Sequence, residues 1–297
     1  MPTKTRLTIG GVPEHFNLPW HLAIEEGLFA DAGIDLHWTD CPGGTGEMIR
    51  GLAEGTLDLA LPLSEGAVAA IARKFPMRIL QWYVRSPLIW GIHVPAQSDI
   101  DTVESLRGQR FAISRYGSGS HLMAFVNAHQ MGWNPGNDLR FVEVGNLNGA
   151  IESFNRREAE GFLWERFTTQ PYVDQDLMRR VGECPTPWPA FALAASERTL
   201  TASPDALTTL TRVINEVCAG FKARAGLVDT LAARYALAHD QVLKWLELTE
   251  WTSSRAVDQA LLQAIIDTLG ELSLLESAVT PGDCCAAGCR LVESDNS

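Results

Sequence analysis

The sequence predicts an α/β fold in two lobes, the first interrupted by the second, with extra helices toward the carboxyl end. Three observations predict it. Short apolar runs alternate with amphipathic segments from residue 7 to residue 164, the pattern of strands joined by helical crossovers. The alternation starts afresh after Pro95, and an apolar run at 191–195 reads as a strand returning to the first sheet. From Ser203 onward the apolar spacing changes to threes and fours, which is helical.

The elements follow in order. Residues 7–12 read as a strand ending in Pro13-Glu14-His15-Phe16, and 20–29 as a helical run. Residues 34–38 read as a second strand. The stretch from Cys41 to Gly66, CPGGTGEMIRGLAEGTLDLALPLSEG, is the centre of the first lobe. Pro42-Gly43-Gly44 cannot continue a strand. Thr45 is a good helix cap, and Glu47 favours the positive end of the helix dipole. Met48, Ile49 and Leu52 give that helix its apolar face, and Gly55 stops it. Residues 57–63 form a nearly continuous apolar run, as in a parallel strand covered on both faces. A helix is expected over 67–74, then strands over 77–84 and 88–94 separated by a break at Arg85-Ser86-Pro87.

In the second half of the alternation, 110–114 reads as a strand leading into Arg115-Tyr116-Gly117-Ser118-Gly119-Ser120. A helix over 121–131 follows, with Gly132 as its stop. Strands are expected at 139–144 and 161–164, and helices at 148–155 and from 170. Beyond Pro204, helices are expected at 204–221, 240–246 and 257–275. Residues 277–297 have no periodicity and read as a flexible tail containing cysteines. The expected division is therefore 1–92 with 190–276 for lobe 1, 93–189 for lobe 2, and the tail. Two crossing segments make a hinge, and the cleft between lobes is the expected ligand site.

The totals narrow the function. A chain of 297 residues with 46% hydrophobic and 20% charged content is a soluble globular protein with a large core. A net charge of −12 argues against nucleic acid and anionic membrane surfaces as partners. The opening MPTKTRLTIGG has no apolar h-region, and there is no run of 18 apolar residues. The expectation is a cytoplasmic protein without membrane insertion, or a periplasmic one whose leader has been removed. Cys41, Cys184 and Cys218 are dispersed and read as small apolar residues. Cys284, Cys285 and Cys289 form C-C-x-x-x-C with no histidine nearby, so neither a metal nor another cofactor is expected.

The candidate ligand residues lie where strands give way to helices, since open α/β sheets bind ligands outside the carboxyl ends of their strands. Gly44, Thr45 and Gly46 open a helix and offer backbone N–H groups to an anion. Tyr116, Gly117, Ser118, Gly119 and Ser120 do the same in the second lobe, with Tyr116 available to stack on a ring. No Gly-Lys-Ser/Thr follows, so this is not a Walker loop. Ser64 and Glu65 end the central strand, where Glu65 can accept from an amino or amidine-like group or simply start a helix. Trp164 and Glu165 form a pair suited to a flat, nitrogen-rich or cationic ligand. His15 and Phe16 stand at the first strand end. His15 is the best general base by type, but no Ser or Cys partner is evident. Trp90 reads as core.

The order PEHFNLPWHLAIEEGLF, Gly33-Ile34-Asp35-Leu36, the GGTGEM loop, Gly-x-x-Asp-Leu-Ala and the later Gly-Ser-Gly-Ser turn resembles the type II periplasmic-binding-protein family, in its thiamine-pyrimidine and sulfonate/nitrate solute-binding branch. The resemblance covers residues 6–275. It implies a two-lobed binding protein that closes over a small polar or heterocyclic molecule without catalysis, with an ABC-transporter permease as a partner. The missing leader makes the chain look like an intracellular subgroup of that branch. The alternative is an enzyme of thiamine-pyrimidine metabolism, or a related hydrolase or lyase. The branch also contains a fungal pyrimidine-forming suicide enzyme. Its cofactor lysine and donor histidine align near Pro62 and Gly66, so neither residue type is present here.

Overall fold

The computed structural model describes residues 4–293. Ten strands occur among them: Thr5–Gly11 (β1), Ile34–Asp40 (β2), Leu59–Ala60 (β3), Met77–Pro95 (β4), Arg110–Ile113 (β5), Arg140–Glu143 (β6), Gly161–Glu165 (β7), Met178–Ser196 (β8), Ala256–Asp258 (β9) and Arg290–Val292 (β10). The chain divides into unit 1, Met1–Ser86 with Trp188–Ser297, and unit 2, Pro87–Pro187.

In unit 1, β1 runs parallel to β2 with Thr5 opposite Ile34 and Gly11 opposite Asp40. On its other side β1 is parallel to β3, with Ile9 opposite Leu59. β3 is antiparallel to β8, with Leu59 opposite Ala195. Ile9, Leu59, Ala194 and Ala195 are all fully buried, which is why these strands are apolar throughout rather than alternating. Helices Leu18–Glu25, Thr45–Glu54, Ser64–Ala72 and Pro204–Gly220 belong to this unit. The expected helical run at 20–29 is broken at Gly27, whose φ of 74° only glycine adopts cheaply, and resumes as Leu28–Asp31.

In unit 2, β4 pairs antiparallel with β7, with Trp90 opposite Glu165 and His93 opposite Phe162. β5 lies parallel to both β7 and β6. The core gathers Ala112, Ala150, Phe154, Ala159, Phe162 and Met178. Helix Gly119–Gln130 packs on this sheet and buries Leu122, Met123 and Val126.

Four further elements differ from expectation. The apolar run at 57–63 is a ladder only at Leu59–Ala60, and Ser64 and Glu65 do not end that strand but open helix Ser64–Ala72. A carboxylate in the first turn suits the helix dipole, so the helix starts three residues early. No break occurs at Arg85-Ser86-Pro87. Arg85 N donates to Glu250 O at 2.7 Å, and Ser86 Oγ accepts from Glu250 N at 2.9 Å, so a neighbouring segment keeps the strand extended. β8 begins well before residue 191. Pro185, Pro187 and Pro189 argue against a strand, but they share one parity, so their missing N–H groups fall on one edge.

The fourth difference is the carboxyl segment, which is not a flexible tail over 277–293. Thr280 and Asp283 form a reciprocal capping box on helix Pro281–Cys284, and β10 pairs with β9 from Arg290 opposite Ala256 to Val292 opposite Asp258. Ser277 Oγ donates to Ala72 O at 2.5 Å, and Cys284 is fully buried. One helical turn and a three-residue strand are too short to show a period, so local hydrogen bonds define this segment instead. The last four residues lie outside the described part.

Candidate functional site

In unit 2 the Gly-Ser-Gly-Ser turn is a built structure. β5 ends at Ile113, and Gly117 takes a φ of 76° to turn the chain into helix Gly119–Gln130. Ser118 caps that helix, its Oγ accepting from His121 N at 3.4 Å. Ser120 Oγ accepts from Ser114 N at 2.9 Å and lies 3.1 Å from Ser118 Oγ. Ser114, Ser118 and Ser120 are all buried. The N–H groups of Gly119 and Ser120 stand in the first turn, where an α-helix provides no acceptor of its own. Gly117 N donates to His121 Nδ1 at 3.1 Å, which places the proton of the neutral ring on Nε2. Burial holds the His121 pKa below its ordinary value, which keeps the ring neutral. Tyr116 is 63% exposed, an unusual state for a large ring, and its edge meets His121 and Phe141.

Trp164 and Glu165 end β7 in the same unit. Trp164 is half-buried, stacks on Phe162 at 5.4 Å and meets Trp90 edge-on at 6.5 Å. Glu165 caps helix Arg166–Asp174. Its oxygens accept from Phe167 N at 3.0 Å, Thr168 N at 2.6 Å and Thr168 Oγ1 at 2.8 Å. Burial raises its pKa against those bonds. Glu165 is therefore occupied as a helix cap. Behind it, His93 is sealed between Phe162 O at 3.3 Å and Thr169 Oγ1 at 3.0 Å, and burial pushes its pKa down to about 3.

In unit 1 the loop after β2 turns at Gly44, whose φ is 68°. Gly43 N donates to Glu47 Oε2 at 2.6 Å, and Thr45 and Gly46 open helix Thr45–Glu54. Thr45 Oγ1 accepts from Leu63 N at 3.1 Å, which ties this loop to the end of the central strand. Ser64 and Glu65 follow directly. Both are buried, Ser64 Oγ has no partner, and Glu65 has one oxygen without a partner. The other, Oε2, accepts from Trp188 Nε1 at 2.9 Å. Burial raises the Glu65 pKa to about 7, partly offset by its backbone hydrogen bond and by Trp188.

His15 and Phe16 belong to an aromatic group in this unit. His15 stacks on Phe16 at 4.7 Å and meets Trp245 edge-on at 4.4 Å. Phe16 O accepts from Tyr83 Oη at 2.7 Å and Trp251 Nε1 at 3.1 Å. Phe16 also packs on Phe191, which is bridged to Leu63, so the loop after β1 and the end of the central strand meet one wall. His15 is fully buried, its Nε2 lacks a partner, and burial alone pushes its pKa down to about 3. A ring that resists protonation at neutral pH and has no nucleophile beside it is not arranged as a general base.

These strand-end sites can now be compared with known proteins. The family model described as Ca3427-like PBP, a periplasmic-binding-protein family, matches residues 90–184. The Candida albicans CA3427 gene product, said to define a family with the generic periplasmic binding protein fold, aligns with a TM-score of 0.88 at 24% identity, covering 100% of this chain and 99% of that one. The chain has the periplasmic-binding-protein fold. The alkanesulfonate-binding protein SsuA from Xanthomonas axonopodis pv. citri, bound to MOPS, aligns with a TM-score of 0.78 at 18% identity over 99% of this chain and 100% of that one. The periplasmic nitrate-binding protein NrtA from Synechocystis PCC 6803 aligns with a TM-score of 0.74 at 14% identity over 93% and 83%. Among curated proteins the sequence finds no significant match.

Within this periplasmic-binding-protein fold, sequence reasoning missed Trp188, Ser114 and His121. Trp188 lies in a proline-rich run that reads against a strand. Ser114 and His121 flank the serine turn by four residues or fewer, and only that proximity marks them. No helix of the described residues is long and apolar enough to cross a membrane, and no group of three or more His, Cys, Asp or Glu among them is placed to hold a metal ion.

Proposed function

We propose that this protein is a non-catalytic receptor for a small molecule with an oxyanion or similarly polar end. The observation that carries the reading is the buried serine group at the start of helix Gly119–Gln130. Three hydroxyls and two first-turn N–H groups converge there, and the helix dipole favours negative charge. The exposed Tyr116 ring supplies a face for a planar or apolar body. In unit 1, Gly44, Thr45 and Gly46 open a helix of their own and are a separate candidate contact for a polar group, and Glu65 keeps a buried oxygen without a partner. The sulfonate- and nitrate-binding proteins of the same fold support an anionic ligand class, by analogy of fold only. On this reading a membrane permease is the partner that takes the ligand onward.

The test is a thermal-shift and calorimetric panel of sulfonates, nitrate, phosphate, small carboxylates and aminopyrimidines. Ligand at 100 times its Kd adds about 2.7 kcal/mol of stability. Tyr116→Ala, which removes an exposed ring, and Ser118→Leu, which fills the turn, are expected to weaken binding of whichever compound scores. Unchanged affinity in both variants would sink the placement, and turnover of a bound compound would sink the non-catalytic reading.

A further inference from the structure

The binding reading leaves the carboxyl thiols unused. The chain passes from helix Pro281–Cys284, which buries Cys284, into a short extended step in which Cys285 bridges Ile79 and Ala286 N donates to Ile79 O at 2.8 Å. It then turns back at once. Cys289 N donates to Ala286 O at 3.0 Å, and Gly288 takes a φ of 87° that few other residues adopt. β10 follows immediately and is anchored to β9. Cys289 therefore closes a turn whose other foot is Ala286, and Cys285 stands one residue before it, held against Ile79.

The two cysteines are four residues apart across this turn, and both are half-buried, so a small oxidant reaches them. The Cys285 thiol stabilises a thiolate at Cys289. Burial opposes that effect, and the positive charge of Arg255 assists it, so Cys289 is held below the ordinary thiol range while Cys285 is raised. The other thiols differ. Burial pushes Cys41 to about 11, Cys184 to about 12 and Cys284 to about 11, which keeps them protonated and unreactive.

We propose that Cys285 and Cys289 form a reversible dithiol–disulfide site, oxidised by hydroperoxides, with Cys289 as the attacking thiol and Cys285 as the resolving one. In the first step the Cys289 thiolate attacks a peroxide oxygen. The O–O bond breaks, an S–O bond forms, and the leaving hydroxide or alkoxide takes a proton. In the second step the Cys285 sulfur, giving up its proton, attacks the Cys289 sulfenic acid. An S–S bond forms, the S–O bond breaks, and hydroxide leaves with that proton as water. Two electrons pass from the thiols to the peroxide, and a thiol reductant returns them by disulfide exchange. The close spacing and the preformed turn supply the approach that a disulfide needs.

The experiment treats the reduced, full-length protein with a small excess of hydrogen peroxide, alkylates the remaining thiols, and maps the digest by mass spectrometry. The expected result is a peptide carrying an intramolecular 285–289 bridge, 2 Da lighter than its dithiol form, with Cys284 alkylated and full reversal by dithiothreitol. In Cys285→Ser, Cys289 is expected to accumulate a sulfenic acid that a dimedone probe captures. In Cys289→Ser, oxidation of this peptide should slow at least about tenfold. The wild-type map does not depend on the variants folding. A bridge to Cys284, or full alkylation of Cys285 and Cys289 under peroxide that oxidises Cys41 and Cys184, would overturn the proposal.

Discussion

Trp188 Nε1 donates a hydrogen bond of 2.9 Å to Glu65 Oε2 inside unit 1, while the second oxygen of the same carboxyl group has no partner. One indole does not replace the water that an ionised carboxylate loses on burial. The group is therefore easier to bury protonated, and its pKa rises to about 7 from 4.5. An acid whose folded pKa is raised binds more protons folded than unfolded, so its contribution to stability falls as pH rises from 4.5 to 7 and is flat above. Glu65→Gln keeps an oxygen for Trp188 and removes the charge. It is expected to stabilise the protein by about 3 kcal/mol at pH 8 and to leave it unchanged near pH 4. Urea unfolding at the two pH values checks this.

His15 sets the opposite slope. Its pKa falls from 6.5 to about 3 on burial, so the unfolded chain binds the extra proton below pH 6.5. Stability contributed by the neutral ring is lost as pH drops from 6.5 toward 3, by about 3 kcal/mol at pH 4. His15→Phe keeps a ring against Phe16 and Trp245 and removes the unpartnered Nε2. The variant should flatten the acid limb of the stability curve. An NMR titration of the wild-type ring should show no protonation between pH 5 and 8.

The Ser118 cap belongs to the fold as well as to the proposed ligand turn. Ser118→Ala removes the acceptor for His121 N and one neighbour of Ser120. A loss of about 1 kcal/mol is expected in denaturant unfolding, with Ser118→Thr close to wild type.

Glu165 is the stronger test of whether a residue serves the fold or a ligand. Glu165→Ala strips acceptors from Phe167 N, Thr168 N and Thr168 Oγ1 in a buried place. Unit 2 should lose about 1–2 kcal/mol. Glu165→Gln should recover part of that loss without altering affinity for any ligand found by the panel. A selective fall in affinity would return Glu165 to the binding site.

The alternation of strands and helices was legible because most elements are long enough to show their period, and because Gly44, Gly55 and Gly117 mark turns in plain sight; the break at Gly27 was not read. Ser64 and Glu65 read as a strand end and instead open a helix, and the Trp188 partner of Glu65 was hidden because it lies 123 residues away in sequence. Glu165 read as a ligand group because Ser, Thr, Asp and Asn are the usual helix caps. The strand before Phe191 was hidden by three prolines whose tolerance depends on which edge they face. The carboxyl segment was hidden by brevity, although Thr280-Pro281-Gly282-Asp283 carried a capping-box signal.

The division of the chain has a consequence for biosynthesis. Unit 2 is one continuous stretch, Pro87–Pro187, whereas unit 1 is drawn from both sides of it. On the ribosome, unit 2 has all its residues once Pro187 emerges and can fold at that point. In unit 1, β3 must wait for Ala194 and Ala195 of β8 before its second partner arrives. β1 has both its neighbours, β2 and β3, by residue 60, so the unpaired edge that nascent-chain chaperones have most to protect is that of β3.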